Sequence, residues 1–453
     1  MLKIVTTYMV SEANIDTLFE AAEQARREGR LDAARADYDR VLARAPKHVG
    51  ALYRKALLAL EAKQLAESAA LLRDACAVKP DDLELNFLQG AVLLAAGQEQ
   101  EAFAPLKRAS AVNPQWYAPH LKLGVAHLVL GQRDEAQQWF QRALMAEPGL
   151  RAVAADESQP AALREEVHAA LVLVAEREWA IVGAALEAGA RVDPAADLSR
   201  LERGFRIQCG REARVFTHPL RQPKFLYLPD LPATPWFERE QFDWVPKVEQ
   251  QLPGVRGELD ALIREEAEFV PYISEDGGES ASGTDFSHLA GSMEWNAFYL
   301  IKDGSWLEDR CRRCPQTTEL MSVVPAARMR GFGPEVIFSR LQAGGHIVPH
   351  FGRTNVRLTV HLGVITPDQC AIRVGDETRS WQEGRVLLFD DSFEHEAWNR
   401  SDRDRSVLIF EVWHPALNPA EIAAIQRFFE TRREWLDLCK PTALPAPQAT
   451  PSA

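Results

Sequence analysis

Small and apolar positions in the first third of the chain recur every 34 residues. Ala22, Ala56, Gly90 and Gly124 hold one register, and Tyr38, Leu72, Leu106 and Phe140 a second; Gly29, Lys63, Gly97 and Gly131 hold a third, and Pro46, Pro80, Pro114 and Pro148 a fourth. A small residue where two helices cross, a turn residue between them and a proline after the second helix define a helix-turn-helix unit. The spacing predicts four such units over residues 13–148. Residues 161–191 keep helical apolar spacing and predict a terminal helix over the last unit, which a stacked array needs to cover its end.

From about Pro219 the pattern changes to short segments rich in Pro, Trp and Phe, which places a boundary between about 195 and 222. Between 290 and 415, "EWNAFYLI", "PEVIFSRLQ", "RLTVHLGVI", "CAIRVG", "GRVLLFD" and "RSVLIFEVW" read as strands separated by turns. Such strands with no long helix between them predict an antiparallel double-sheet jelly roll. Residues two apart in a strand share a face, so Arg357, Thr359 and His361 fall together and Leu358, Val360 and Leu362 fall opposite. An inward row of polar side chains is what a polar pocket in a barrel mouth needs. The Pro/Ala-rich end, residues 441–453, cannot bury a core and is expected to be a disordered tail.

The 34-residue units resemble the tetratricopeptide repeat. The resemblance implies a curved α-solenoid whose concave face holds a peptide or partner protein; the alternative is a helical scaffold that only holds the second domain in place. The expected organisation is a repeat array at 13–148, capping helices and linker at 149–221, a second domain at 222–435 and a tail at 436–453.

A chain of 453 residues, 46% hydrophobic and 26% charged, has the composition of soluble globular proteins and enough length for two domains. Its formal charge of −13 argues against affinity for nucleic acid or an anionic membrane, which depends on Lys and Arg neutralising phosphates. The six cysteines are scattered, unlike a disulfide framework, and suit a reducing compartment. The N-terminus lacks the pattern of a secretory signal, and no apolar run reaches membrane-spanning length. The expectation is a cytoplasmic protein with no membrane or nucleic-acid partner.

Histidines are the candidate chemistry. His346, His350 and His361 lie within residues 344–364, and His395 follows the acidic turn of "LLFDDSFEHEAWN", with Arg405 ten residues on. Two imidazoles from separate strands can bind Fe(II) and leave positions open for a chelating cosubstrate and O2, while a nearby arginine grips a carboxylate bidentately. These are the parts of a 2-oxoglutarate-dependent oxygenase.

"SRLQAGGHIVPHFGRTNVRLTVHLGV", then "WQEGRVLLFDDSFEHEAWN" and "VWHP", resembles the aspartyl/asparaginyl β-hydroxylase family over roughly residues 222–418. The motifs "PHxGxTNxRL", "FDDSFEHExWN" and "VWHP" are specific in combination. The resemblance implies a double-stranded β-helix, the jelly-roll or cupin-like fold, and a dioxygenase that uses Fe(II), 2-oxoglutarate and O2. It makes His350 and His395 the iron ligands, with Gly352 where other oxygenases of the class place an acidic ligand. Ser339 and Arg405 would hold the distal carboxylate of 2-oxoglutarate, and His361 would touch the carboxylate beside its keto group. Thr359 departs from the family's arginine; Arg357, on the same face, is the candidate to compensate, although the family carries an arginine there as well. The implied reaction is hydroxylation of the β carbon of Asp or Asn residues in a peptide or protein presented by the repeats. The alternatives are an oxygenase of a lipid or other small molecule, and a non-catalytic repeat and barrel scaffold.

Other residues take structural readings. His346 is at most an outer neighbour of the metal, and His414 closes the last strand. Asp390 and Asp391 are expected to set the loop carrying His395. Cys311 and Cys314 have the spacing of half a zinc site but lack a second pair. Arg403 is expected to be solvated, and the acidic segment 274–288 to be a surface loop, with a lid over the active site as its other reading.

Overall fold

A computed structural model describes residues 2–275 and 285–440. The chain divides into two compact units, one holding residues up to 177 with the segment from 436, the other residues 178–435.

The first unit follows the 34-residue pattern. Its helix pairs are Leu2–Arg27 with Leu31–Arg44, Val49–Glu61 with Leu65–Val78, Leu83–Ala95 with Glu99–Val112, and Tyr117–Val129 with Arg133–Ala146. The turn register is set by backbone conformation: Gly29, Gly97 and Gly131 have φ of 71 to 73°, and Lys63 takes 57° in the same place. The small-residue register is set by space. A Cβ on Gly90 would lie 2.4 Å from Leu106 Cγ, and one on Gly124 would lie 2.3 Å from Phe140 Cδ1. The large partner in each pair, on the second helix of the same repeat, is fully buried. Helix Ala161–Val192 begins where the terminal helix is expected, and its Val167, Ala170 and Val174 pack with Leu121, Phe140 and Leu144 of the last repeat.

The second unit holds twelve strands among the described residues: β1 (Trp236–Phe237), β2 (Val270–Pro271), β3 (Trp295–Lys302), β4 (Ser305–Trp306), β5 (Val336–Leu341), β6 (His346–His350), β7 (Arg357–Ile365), β8 (Cys370–Val374), β9 (Glu377–Ser380), β10 (Val386–Phe389), β11 (His395–Asn399) and β12 (Arg405–Trp413). The larger sheet has the order β1-β10-β7-β12-β5-β3-β2, with β4 added to β3; the smaller has the order β6-β11-β8-β9. Every pairing between named strands is antiparallel. From β5 onward the chain passes back and forth between the sheets, as the expected double-sheet arrangement requires.

Alternation along β7 sorts the side chains as expected. Leu358, Val360 and Leu362 pack outward with Leu408, Phe410 and Val412 against Val248, Leu259 and Leu262 of helices Val245–Gln250 and Leu252–Arg264. Between the sheets, Ile347, Ile372, Val374, Phe389, Ala397 and Val407 form a second apolar cluster. Beside it a cavity of about 650 Å³ is lined by Arg357, Thr359 and His361 from β7 and by His350 and His395 from β6 and β11.

Helix Pro419–Leu438 runs three residues beyond Trp435, into the segment expected as a tail. Its Phe428 and Phe429 are buried, and Phe428 stacks on Phe205. Residues 441–453 of the expected tail, and residues 276–284 of the expected loop or lid, lie outside the described residues. No helix among the described residues is long and apolar enough to cross a membrane.

Candidate active site

His350 ends β6 and His395 begins β11, and the two are register partners across the smaller sheet. Their ring centroids are 4.0 Å apart. His350 Nδ1 lies 2.8 Å from Val348 O, and His395 Nδ1 lies 2.9 Å from Phe393 O. A carbonyl only accepts, so each Nδ1 carries the proton and each Nε2 keeps its lone pair. Burial, with the neighbouring His395, lowers His350 to about 3, and burial lowers His395 to about 4. Both imidazoles are therefore neutral at ordinary pH, the state in which histidine binds a metal.

Gly352 provides no third ligand, and its side-chain space is taken. A Cβ there would lie 2.3 to 2.6 Å from the carboxyl atoms of Asp391, and Gly352 N donates to Asp391 O at 2.6 Å. Asp391 lines the cavity with its Oδ1 unpartnered. Burial raises its pKa, against the nearby Arg357 charge. Its sequence neighbour Asp390 instead accepts from Arg221 Nε at 2.9 Å and from the Ser392 hydroxyl, and so sets the loop as expected. The two aspartates thus separate, Asp390 to the fold and Asp391 to the cavity. Among the described residues no three His, Cys, Asp or Glu side chains come together as a ligand set, and the histidine pair stands without a carboxylate ligand.

At one end of the cavity lie Ser339, His361 and Arg405. Arg405 is 1% exposed, yet its Nε and Nη1 have no hydrogen-bond partner, and burial lowers its pKa to about 10. The guanidinium rests over the Trp381 ring at 4.6 Å. Trp381 Nε1 donates to His361 Nδ1 at 3.2 Å. Indole N–H is only a donor, so the neutral His361, whose pKa burial lowers further, carries its proton on Nε2. Trp295 Nε1 likewise donates to Ser339 Oγ at 3.1 Å. The result is a buried pocket of unspent donors, which suits a dianionic ligand.

The remaining candidates take other places. Arg357 lines the cavity but is paired with Glu411 at 2.7 Å. It stands two residues before Thr359 on the same face of β7, with its charge matched by Glu411, unlike the unpartnered Arg405. The Thr359 hydroxyl is itself unpartnered. His346 is exposed, pairs with Glu396 at 2.9 Å and does not line the cavity. His414 Nδ1 accepts from Ala416 N at 3.1 Å where β12 ends. Cys311 and Cys314 are buried free thiols, raised by burial, and all six cysteines are unbridged. Trp295 and Asp391, which line the cavity, and Trp381, which holds His361 and underlies Arg405, have roles that the pattern of β7 does not reveal, because each reaches its partner across the fold rather than along a strand.

A sequence profile described as Aspartyl/Asparaginyl beta-hydroxylase matches residues 249–415, and a Tetratricopeptide repeat profile matches residues 93–156. Aspartate beta-hydroxylase domain-containing protein 2 of Homo sapiens is 33% identical over 241 residues, which cover 52% of this chain and 62% of that protein. Aspartyl/asparaginyl beta-hydroxylase of Homo sapiens is 40% identical over 129 residues, 28% of this chain and 17% of that protein. The ornithine lipid ester-linked acyl 2-hydroxylase of Rhizobium tropici is 31% identical over 189 residues, 41% of this chain and 63% of that protein. The chain thus spans less than two thirds of the length of each of these relatives. Among solved structures, a crystal structure of MamA protein aligns with a TM-score of 0.30 and 21% identity, covering 36% of this chain and 91% of that one. Residues 249–415 thus match the aspartyl/asparaginyl beta-hydroxylase family, and a tetratricopeptide repeat match precedes them.

Proposed function

We propose that residues 222–435 form an Fe(II)- and 2-oxoglutarate-dependent dioxygenase that hydroxylates the β carbon of Asp or Asn residues in a peptide or protein. One juxtaposition carries this reading: two neutral imidazoles with free Nε2 atoms share a cavity with a buried arginine that has no anion. A buried unpaired charge is costly, and a site that keeps one is built for the ligand that pairs with it.

His350 and His395 would hold Fe(II) through Nε2, with Nδ1 fixed by the Val348 and Phe393 carbonyls. The metal supplies the oxidative chemistry, with O2 as oxidant and 2-oxoglutarate as the co-reductant that leaves as succinate and CO2. The rest is the chain's own work. Arg405 and Ser339 would bind the distal carboxylate, and His361 Nε2–H would donate to the carboxylate beside the keto group. Trp381 and Trp295 fix the donors, and the apolar walls Ile347, Ile372 and Phe389 keep water from that end of the cavity. The space that a side chain at Gly352 would take is filled by the Asp391 carboxyl, so position 352 offers the metal no ligand of its own.

The tetratricopeptide repeats support a peptide or protein substrate, because stacked repeats commonly hold extended segments. The Rhizobium relative, named for a lipid acyl chain, supports a lipid as the second reading. Six unbridged cysteines fit work in the reducing cytoplasm.

The test is an anaerobic titration of the whole chain with Fe(II) and then 2-oxoglutarate, followed by its visible charge-transfer absorption. The band should appear in the wild type and be lost in His350→Ala, with the far-UV circular dichroism unchanged. A band that survives in His350→Ala would overturn the ligand assignment.

A further inference from the structure

The cavity has a second end, opposite Arg405, and its charges do not balance in the same way. Immediately before β5, Glu335 precedes Ser339 by four residues, roughly 13 Å of extended chain, so it stands well away from the donors that suit the cosubstrate. Around it, charges are already matched. Arg357 pairs with Glu411 at 2.7 Å, and Glu411 also accepts from Glu335 N at 3.0 Å. Arg353 has Asp303 at 3.9 Å and lies over the Phe332 ring at 4.0 Å.

At this end of the cavity the Glu335 carboxylate is the acid left over. Its contact is the Tyr272 hydroxyl at 3.4 Å, and among the described residues no Lys or Arg lies within ion-pair distance of it. Lys302, on the rim, has its ammonium 4.9 Å from the centroid of the Tyr299 ring and makes no ion pair with Glu335. Burial raises the Glu335 pKa although Arg357 and Arg353 act on it from a distance, so the site holds a carboxylate whose desolvation is not repaid within the protein. The walls beside it are aromatic: Tyr272 stacks on Trp295 at 4.0 Å and lies nearly parallel to Tyr299, 10° between planes at 6.4 Å. A carboxylate set among ring faces is a receptor for an organic cation, which both elements attract.

We propose that this end of the cavity binds a cationic group of the substrate, an ammonium or guanidinium, against the Glu335 carboxylate and the Tyr272 and Tyr299 rings. The proposal rests on reading the cavity as the substrate site, and it names the substrate's chemistry: the oxidised carbon lies between the metal histidines and a positive charge several bonds away. A lysine or arginine residue near the modified position of a peptide meets this description.

The experiment uses the whole chain and two probes, N-acetyl-arginine amide and the uncharged N-acetyl-norleucine amide, with binding followed by ligand-observed NMR in the absence of metal. The arginine probe should bind at least about tenfold more tightly than the norleucine probe. Glu335→Gln should remove that preference, and Lys302→Gln should keep or enlarge it. Anaerobic 2-oxoglutarate affinity, measured separately, should be the same in wild type and Glu335→Gln, which also shows that the variant is folded. Equal binding of the two probes, no binding of either, or a preference that survives Glu335→Gln would overturn the proposal. Loss of 2-oxoglutarate binding in the wild type with the cation preference intact would instead overturn the oxygenase reading alone.

Discussion

His350 and His395 face each other as register partners of β6 and β11, with their rings 4.0 Å apart and inclined at 52°. Burial holds them at about 3 and about 4. The sign follows directly: a histidine lowered in the folded state stays neutral as pH falls, so protons compete with metal only near those values. An exposed pair would start to lose metal near pH 6.5, the ordinary histidine value. Affinity for Mn(II), a redox-quiet stand-in for Fe(II), should change by less than about threefold between about pH 7 and 5. Water-proton relaxation titrations check this, and a steep loss starting near pH 6.5 would show a solvated pair.

Arg405 is buried with two of its nitrogens unpartnered. Arg405→Met removes that uncompensated charge at similar length, so the ligand-free protein should gain about 1–3 kcal/mol. The same change should weaken 2-oxoglutarate by at least about thirtyfold, since the anion loses its buried partner. Thermal melts with and without 2-oxoglutarate read both effects: a higher Tm for the free variant and no further rise on adding ligand.

Trp381 fixes the tautomer of His361 through its indole N–H. Trp381→Phe keeps the ring that packs under Arg405 but releases His361 to place its proton on either nitrogen. The KM for 2-oxoglutarate should rise by roughly 5- to 30-fold, the worth of about one to two hydrogen bonds, with a smaller change in kcat. Steady-state kinetics at varied 2-oxoglutarate separate the two.

Gly352 and Asp391 compete for one volume. Gly352→Ala should cost about 1–3 kcal/mol by overpacking. In an Asp391→Ala background the same substitution should cost much less, giving a coupling of at least about 1 kcal/mol in urea denaturation. Additive effects would mean that the carboxylate is not what fills the space beside Gly352.

Much of this was legible in the chain itself. The 34-residue repeat showed through because each period carries a physical constraint: a left-handed turn at Gly29, Gly97 and Gly131, and a helix crossing too tight for a Cβ at Gly90 and Gly124. The inward row on β7 followed from alternation alone. What stayed hidden depends on pairings between distant strands. Asp391 reads as a turn residue until β6 is laid beside the β10–β11 loop, and Trp381 reads as loop until its indole meets His361. Arg357, read as a spare cation for the cosubstrate, is paired with Glu411 on β12, a partner 54 residues away that no local pattern announces. Helix Pro419–Leu438 was also missed, because it follows the strands and has no repeat to mark it.

The most direct test of the central claim is succinate formation by the Fe(II)-loaded chain supplied with 2-oxoglutarate, air and a pool of Asp- and Asn-containing peptides, with mass spectrometry of the peptides. The account requires succinate that depends on Fe(II), rises with peptide and disappears in His350→Ala and Arg405→Met, together with a gain of one oxygen on an Asp or Asn residue. Iron-loaded protein that binds 2-oxoglutarate but forms no succinate, with or without peptide, would contradict it.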